Sequence, residues 1–367
     1  MKRIIIESRH LFRKTGISKF FLDYINQFIL DNSNYNFIIV SDYLDQTNHF
    51  QNFKNTKICK IKRLNLFSNN YICDLIYGFI TFPLFLLRTN ADLLISPYYD
   101  FIIPPNYKNK TIITIHDLCY IKLKQIYNYH HKIPNYIFLN QALKKSKKIL
   151  TVSEKSENDI HLFLKKKRIH NKKIVIIYNS FKKLKSENKI VLNKQDINII
   201  YTGGFEKRKN IDNIFKAFSK SIQTLPQLKL IITGKLKQNK KFQQLISKYK
   251  LENNTYLTGI LTDSQLQGLY ENKIDGAINM SLCEGFGRNS YEAKINSIPL
   301  LCSDIKINHE IVGDYAIYCD PYNTEAIATG IQQLIKSSKI HNKASINSKF
   351  TIEYNYPIFS SEIINCL

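Results

Sequence analysis

Short runs of aliphatic residues alternate along the chain with longer segments of helical character. Twelve of these runs predict strands, namely Arg3–Glu7, Asn36–Ser41, Asp92–Ser96, Thr111–His116, Lys148–Val152, Lys173–Ile177, Ile197–Thr202, Lys229–Thr233, Thr255–Thr258, Gly276–Met280, Ile298–Cys302 and Ala316–Cys319. Nearly continuous apolar strands between helices are typical of parallel sheets that helices cover on both faces. The pattern therefore predicts an α/β protein with doubly wound parallel sheets.

One segment interrupts this alternation. Asn179–Asp196 is rich in Lys and Asn and has no strong apolar period. We therefore expect two Rossmann-like domains, residues 1–182 and residues 183–345, each long enough to bury a core. Ligands of such sheets bind beyond the C-terminal ends of the strands, and two domains that face each other would enclose a cleft.

The most apolar stretch of the chain is Leu75–Leu87, which Arg88 follows. It is shorter than the about 20 apolar residues that span a bilayer, and Pro83 interrupts it. We predict a buried helix here, in preference to a helix that inserts into a membrane.

The composition is strongly basic. The chain has 53 Lys and Arg against 29 Asp and Glu, a formal net charge of +24. Such a surface attracts nucleic acid, anionic membrane or phosphorylated ligands. Nucleic acid is not expected, because neither an aromatic platform nor a known nucleic-acid fold accompanies the charge. The seven cysteines are scattered and never spaced as C-x-x-C, which predicts no zinc site and favours a reducing compartment.

The segment Glu284–Glu292, with the sequence EGFGRNSYE, follows a predicted strand and opens a helix. Its glycines let the backbone approach a ligand, and the N-terminus of a helix favours a diphosphate. The two carboxylates lie eight residues apart and flank that site, so one can bind sugar hydroxyls and the other ribose hydroxyls. Taken alone, the motif fits a glycine-rich strand-to-helix turn equally well.

A second segment of this kind is Tyr201–Asn210, with the sequence YTGGFEKRKN. Gly203 and Gly204 permit a close backbone approach, and three cations, Lys207–Lys209, precede the next helix. Cations oppose the dipole at a helix N-terminus, so an anion lying between them would explain their position. The alternative is a solvated lysine-rich turn.

Taken in sequence order, Tyr201–Asn210 before Glu284–Glu292, the two motifs resemble the retaining glycosyltransferase family 4, which belongs to glycosyl transferases group 1 and has the GT-B fold. Further matches in the family's order are Thr15-Gly16-Ile17, Thr114–Leu118, Thr151–Glu154, Ile174–Asn179, Ser303-Asp304 with Glu310, Gly313-Asp314 and Asp320-Pro321. The resemblance covers nearly the whole chain. It implies an N-terminal acceptor-binding domain and a C-terminal nucleotide-sugar-binding domain facing across a cleft, with residues 346–367 as a helix that crosses back to the N-terminal domain.

The resemblance also implies roles for individual residues. Lys209 would contact the donor diphosphate, Glu284 the transferred sugar, and His116 would lie near the reacting centre; these three are the implied catalytic residues. The implied substrate-binding residues are Gly16, Asp117, Gly204, Arg208, Gly285, Phe286, Gly287 and Glu292, of which Glu292 would bind the ribose. Many family members have Arg at the position of Gly204, so the second cation of their diphosphate clamp would have to come from Arg208 or Lys207.

The implied reaction moves a hexose from a GDP- or UDP-sugar to a lipid-linked or oligosaccharide acceptor, in the synthesis of lipopolysaccharide, O-antigen or capsule. The motif pattern leans toward mannosyltransferases, and retention of anomeric configuration follows from the family. Catalysis must stabilise the departing nucleoside diphosphate. The D-x-D motif that holds a metal in GT-A enzymes is absent from the sequence. We therefore predict catalysis without metal or other cofactor, with Lys209 and the helix dipole in the metal's place.

A basic run in the acceptor half points to an anionic partner. From Lys144 to Lys185 there are 14 Lys and Arg and three Asp and Glu. Such a face would dock on anionic lipid, where each cation adds about 1 kcal/mol. A solvated lysine-rich surface is the alternative and has equal weight. The expected location is the cytoplasm, with peripheral contact on the inner face of the plasma membrane if the run does bind lipid.

Two other functions remain open at this point. A non-hydrolysing nucleotide-sugar epimerase shares the two-domain fold and would convert donor without an acceptor, although the E-x7-E pattern disfavours it. A noncatalytic basic binding module would explain the charge, and its function would survive Glu284→Ala and Lys209→Ala.

Overall fold

The computed structural model describes residues 1–367 except 12–15, 42–49, 51–52, 62–69, 183, 188–189, 194, 235–238, 273 and 338–345. The chain divides into two compact units, one formed by Met1–Phe181 with Asn347–Leu367 and the other by Lys182–Ile346. Thr15 of the predicted glycine loop lies outside the described residues, as do residues 183, 188–189 and 194 of the predicted linker.

The first unit is built on a parallel sheet, whose described strands follow the order β3-β2-β1-β4-β5-β6-β7. The strands are β1 (Arg3–Glu7), β2 (Asn36–Ser41), β3 (Thr56–Lys60), β4 (Leu93–Ser96), β5 (Thr111–Thr114), β6 (Lys148–Thr151) and β7 (Lys173–Ile176). The helices are α1 (Gly16–Asp31), α2 (Asn70–Ile76), α3 (Phe82–Arg88), α4 (Cys119–Lys122), α5 (Tyr129–Lys145), α6 (Glu154–Lys166) and, from the end of the chain, α13 (Ile352–Ile364). The apolar central strands form the core, with Ile5, Leu94, Ile113 and Ile149 fully buried.

The second unit also has a parallel sheet, with its described strands in the order β10-β9-β8-β11-β12-β13. The strands are β8 (Ile197–Thr202), β9 (Leu228–Thr233), β10 (Thr255–Gly259), β11 (Gly276–Asn279), β12 (Leu300–Ser303) and β13 (Ala316–Cys319). The helices are α7 (Ile211–Ser221), α8 (Lys240–Lys248), α9 (Asp263–Glu271), α10 (Arg288–Ile295), α11 (Lys306–Val312) and α12 (Thr324–Ser337).

The predicted α/β class with doubly wound parallel sheets is confirmed. All twelve predicted strands are present, and their ends agree with the prediction to within two residues. Strand β3 was missed. It reads TKICK and lies at the edge of its sheet with no fully buried residue, so it lacks the continuous apolar run of the central strands.

The helix predicted at Leu75–Leu87 is present, but the prediction that it is buried was wrong. The helical segment is longer, running without a break from Asn70 to Arg88, and two thirds of its apolar window Tyr71–Arg88 is not buried. This window is the one described helix that is long and apolar enough to cross a membrane by length and composition.

Pro83 does not end this helix because a π-helical turn, Tyr77–Thr81, directly precedes α3. The Phe82 N–H donates to the Tyr77 carbonyl, five residues earlier, and Pro83 follows within the first turn of α3, where a proline is tolerated.

Helix α13 is tied to the first unit by aromatic packing and by a buried amide. The Phe359 ring contacts the rings of Phe21, Tyr24 and Phe28 at centroid distances of 6.2, 5.3 and 6.3 Å. The fully buried Asn355 accepts a hydrogen bond from the Tyr178 N–H at 2.9 Å and donates to two carbonyls of its own segment. The end of the chain is therefore part of the first unit's core.

We expect Asn355→Ala to lower the free energy of unfolding by about 2–4 kcal/mol, because it leaves the buried Tyr178 N–H without its acceptor and opens a small void. Urea denaturation of the full chain would measure this. The matched control is Asn365→Ala at the exposed end of the same helix, which should cost less than about 1 kcal/mol. Equal losses in the two variants would contradict this role for Asn355.

Candidate functional site

The strand order of the second sheet reverses between β8 and β11, which are neighbours in the sheet but not in sequence. In open parallel sheets, the crevice at such a reversal, beyond the C-terminal ends of the strands, is where ligands bind. Both segments singled out by their motifs lie here, since the loop of the first follows Thr202 and the loop of the second follows Asn279.

The carboxylate of Glu284 is held by two cations at this point. Arg208 Nη1 lies 3.1 Å from Oε2, and Lys209 Nζ contacts Oε1. Burial by itself raises the pKa of Glu284, but the charges of Lys209 and Arg208 outweigh it and lower the pKa to about 2. Glu284 is therefore an anion throughout the physiological pH range.

The two loops are also joined by hydrogen bonds to backbone carbonyls. The Leu282 N–H donates to the Arg208 carbonyl at 2.8 Å, and Arg208 Nη1 donates to the Cys283 carbonyl at 3.3 Å. Lys207–Lys209 form a 3₁₀ turn, and Asn210, with a left-handed φ of 58°, separates that turn from α7. The cations are thus fixed on the loop rather than in the first turn of the helix.

A local packing reason accounts for Gly203. A Cβ at this position would lie 2.8 Å from the hydroxyl of Tyr201, which donates to the Gly204 carbonyl at 2.8 Å. A Cβ at Gly204 would meet the side chain of the exposed Glu206 at 3.0 Å. The chain's own Tyr201 therefore requires the first glycine, independently of any ligand.

Helix α10 begins directly after Gly287, whose φ of +85° lies in the left-handed region that favours glycine. Asn279 Nδ2 donates to Ser290 Oγ at 2.7 Å, and the Asn289 side chain donates to the Thr202 carbonyl. These contacts fix the helix N-terminus against the ends of β8 and β11. The side chain of Phe286 is buried and contacts the Tyr291 ring, so only its backbone is available to a ligand.

Glu292 lies further along α10 and has different partners from Glu284. Its Oε1 is 3.5 Å from Arg288 Nη2, and its Oε2 accepts from the Tyr270 hydroxyl at 3.5 Å. Of the residues predicted for the donor, the structure thus brings Arg208, Lys209 and Glu284 into direct contact, while Glu292 forms a separate polar group.

The first unit holds the other predicted residues at the C-terminal edge of its sheet. His116 follows β5, and its Nε2 lies 3.0 Å from the Pro97 carbonyl. Its ring packs edge-on against Phe20 of α1, the helix that starts at Gly16. Asp117 accepts the Cys119 N–H at 2.9 Å. Burial lowers the pKa of His116 to about 4, so this imidazole is neutral at physiological pH.

A charged cluster that sequence reasoning missed lies where the first sheet reverses, between β1 and β4. Asp100 Oδ2 is 2.6 Å from Arg9 Nη2 and 2.9 Å from His10 Nε2. Arg9 is buried over the Tyr77 ring, and burial raises the pKa of the neighbouring Glu7. The signal available in the sequence was position alone, since these residues directly follow the first and fourth strands.

The ion pairs of Glu284 with Lys209 and Arg208 predict that the fold loses stability when this carboxylate is neutralised. Its folded-state pKa lies below the ordinary 4.5, so ionisation stabilises the fold above about pH 4.5, and this stabilisation is lost as the pH falls through about 2. We expect Glu284→Gln to cost about 3 kcal/mol at pH 7 and progressively less toward pH 3, measured by urea denaturation. Glu206→Gln, which removes an exposed carboxylate 3.7 Å from Arg208, should cost under about 1 kcal/mol.

The neutral state of His116 predicts a second pH dependence. Its folded-state pKa of about 4 is below the ordinary 6.5, so the unfolded chain binds this proton more tightly and stability falls as the pH drops from 7 to 4. The contribution is up to about 3 kcal/mol. His116→Gln should remove it, whereas His130→Gln on the exposed face of α5 should not. Parallel pH–stability curves for wild type and His116→Gln would contradict the assignment.

Known proteins resemble this chain in sequence and in fold. Residues 182–350 match the family described as glycosyl transferases group 1. The O-antigen chain mannosyltransferase RfbU of Salmonella typhimurium is 25% identical over 234 residues, 63% of this chain and 62% of that protein. The O-antigen chain mannosyltransferase B of Escherichia coli is 28% identical over 243 residues, 63% of each chain. The matched part thus spans less than two thirds of either relative.

The fold has close counterparts over the whole length. WaaG, a glycosyltransferase involved in lipopolysaccharide biosynthesis, superimposes with a TM-score of 0.76 at 13% identity, covering 98% of this chain and 99% of that one. Two parallel α/β units, a family match in the second and this likeness agree on one fold. The chain has the GT-B fold, and its residues 182–350 match the family described as glycosyl transferases group 1.

Proposed function

We propose that this chain is a retaining glycosyltransferase that moves a hexose, with mannose favoured, from a nucleoside-diphosphate sugar to a glycan or lipid-linked acceptor. The product would be part of a cell-surface glycan such as lipopolysaccharide O-antigen or capsule. The family match of residues 182–350 and the two O-antigen mannosyltransferase relatives support the class of reaction and lean toward mannose.

The observation that carries the proposal is the contact of Lys209 and Arg208 with Glu284, at the reversal point of the second sheet. Two fixed cations lie on one loop, and the other loop leads through Gly287 into the N-terminus of α10. Cations and helix N-terminal N–H groups both favour a diphosphate. The buried anionic carboxylate between the cations accepts hydrogen bonds from hydroxyl groups, which suits the sugar of the donor.

In the proposed reaction these groups stabilise the departing nucleoside diphosphate. The bond between the anomeric carbon and the diphosphate oxygen breaks, the acceptor oxygen bonds to that carbon, and the acceptor proton passes to the departing diphosphate. Negative charge grows on the diphosphate as the sugar gains oxocarbenium character. Preorganised cations and dipoles lower such a barrier because they need no reorganisation during the reaction. Lys209 and α10 would do this without a divalent metal.

The first unit would supply the acceptor side. Because His116 is neutral at pH 7, it is suited to a hydrogen bond with a sugar hydroxyl and does not supply a positive charge. His10 and Asp100, 2.9 Å apart at that sheet's reversal point, would extend the polar surface offered to the acceptor. We place the reaction in the cytoplasm, where nucleotide sugars are made.

Lys209→Ala should reduce the rate of sugar transfer by about 10²- to 10³-fold, because it removes a cation aimed at the leaving diphosphate. The assay measures release of UDP, GDP or dTDP from a panel of nucleotide sugars with lipid-linked acceptors. Thermal shifts with the same donors identify the one that binds. The matched control is Lys216→Ala on the exposed face of α7, which should stay within about twofold of wild type.

Other outcomes would replace the proposal. Conversion of a donor to its epimer without acceptor would identify an epimerase. If no donor bound and no nucleotide were released, and if Glu284→Ala and Lys209→Ala left the chain's function unchanged, it would be a binding module. Loss of activity in EDTA that Mg²⁺ or Mn²⁺ restores would overturn the metal-independent part alone.

A further inference from the structure

Exposed large apolar side chains are concentrated on two helices of the first unit. Among the described residues sixteen such side chains are exposed, and seven of them lie on the helical segment Asn70–Arg88 and on α5. We call these seven the apolar helix surface; they are Ile80, Leu84, Leu87, Tyr129, Ile133, Tyr136 and Ile137. Single exposed apolar residues need no explanation, but a cluster of this size marks an interaction site.

Helical spacing aligns the members of this surface into stripes. Ile80, Leu84 and Leu87 are separated by four and three residues and are 51, 45 and 53% exposed. On α5, Tyr129 and Ile133 are separated by four residues and are 75 and 59% exposed. Residues three and four apart share one face of a helix, so each helix presents a continuous apolar stripe to solvent.

The two helices lie side by side. The Tyr71 ring is 4.2 Å from the His131 ring, and the Phe79 ring is 4.4 Å from the Phe138 ring. The Tyr71 hydroxyl also donates to the His130 carbonyl at 2.7 Å. The two stripes therefore belong to neighbouring helices of one domain.

The charged side chains around this surface are mainly cations. Helix α5 has three lysines, Lys132, Lys144 and Lys145, and no Asp or Glu, and between Asp74 and Asp92 the chain has Arg88 and no acid. Lys132 lies 4.6 Å from the centre of the Tyr129 ring, and Lys167 lies 4.8 Å from that of Tyr136. Apolar side chains flanked by cations suit the boundary between lipid tails and anionic headgroups.

The opposite face of the same helical segment is fixed in the domain. Phe82 and Leu86 are fully buried in the core, and the Phe82 ring packs edge-on against Phe101 at 4.9 Å. The segment cannot cross a bilayer without unfolding that core. Its exposed stripe can therefore contact a membrane only while the helix lies along the membrane surface.

We propose that the apolar helix surface docks the first unit on a bilayer that contains anionic lipid. A second copy of the chain would cover the apolar area but would bring two mainly basic surfaces together, and like charges repel. Anionic headgroups neutralise the lysines while the acyl region takes up the apolar side chains. This binding is independent of the proposed sugar transfer and can be tested without donor or acceptor.

The absence of tryptophan from the sequence gives a direct test of insertion. Leu84→Trp places a single fluorophore in the surface, and Ile260→Trp places one at an exposed position of the second unit. With vesicles of phosphatidylethanolamine and phosphatidylglycerol at about 3:1, a composition that supplies the anionic headgroups, the emission of the Leu84→Trp variant should shift to shorter wavelength and be quenched by brominated acyl chains. The emission of the Ile260→Trp variant should not change.

Vesicle flotation of the full chain tests the contribution of the surface to binding. Leu84→Gln with Ile133→Gln should weaken binding to these vesicles by about tenfold or more, since each change removes an inserted apolar side chain. The control pair Val191→Gln with Ile260→Gln, exposed apolar residues of the second unit, should bind like wild type. Binding should also fall when phosphatidylcholine replaces the anionic lipid, or when salt is raised to about 0.5 M.

Three results would overturn the inference. They are equal binding by the two double variants, an emission spectrum of the Leu84→Trp variant that vesicles leave unchanged, or a wild-type dimer in solution that Leu84→Gln with Ile133→Gln converts to a monomer. Transfer to a water-soluble acceptor should survive this double variant, so a failure of docking is distinguishable from a failure of the proposed function.

Discussion

The carboxylate of Glu284 is buried at the edge of the second sheet, and its charge is compensated there by Lys209 and Arg208. A buried carboxylate without partners would take up a proton or destabilise the fold. The pairing joins the loop after β8 to the loop after β11, next to the helix that starts after Gly287. Cations suited to a ligand are thus also needed by the fold, which limits how these residues can vary.

The two sheets share one feature, a charged cluster at the point where the strand order reverses. Each reverses its strand order once, between β1 and β4 or between β8 and β11, and each carries a cation–carboxylate cluster there. The reversal leaves a crevice that no crossover helix covers, so polar side chains can enter a region otherwise lined by apolar strands. In the first unit Arg9 compensates Asp100, while His10 and Tyr98 contribute rings 5.1 Å apart.

Apolar runs were sufficient to predict the central strands, because a strand covered on both faces has no polar face to interrupt the run. They could not predict β3, an edge strand in which Lys57 and Lys60 are exposed and none of the residues is fully buried. Nor could they predict the contact of His10 with Asp100, which joins residues 90 positions apart and depends on β1 and β4 being neighbours. The motif around Glu284 was readable because its glycines and carboxylates are local; that Phe286 is packed against Tyr291 was not.

The helical segment Asn70–Arg88 shows why hydropathy alone does not assign an apolar stretch to a core. Leu86 and Leu87 are neighbours of equal hydropathy, yet one is fully buried and the other is half exposed. A helix that packs one side against a sheet keeps its other side in solvent, so apolar residues all around it exceed what the fold requires. A chain that relied on burial alone would carry polar residues at Leu84 and Leu87. Leu84 and Leu87 lie on the outer face beside a second apolar stripe on α5 and beside basic side chains, an arrangement that folding alone does not require.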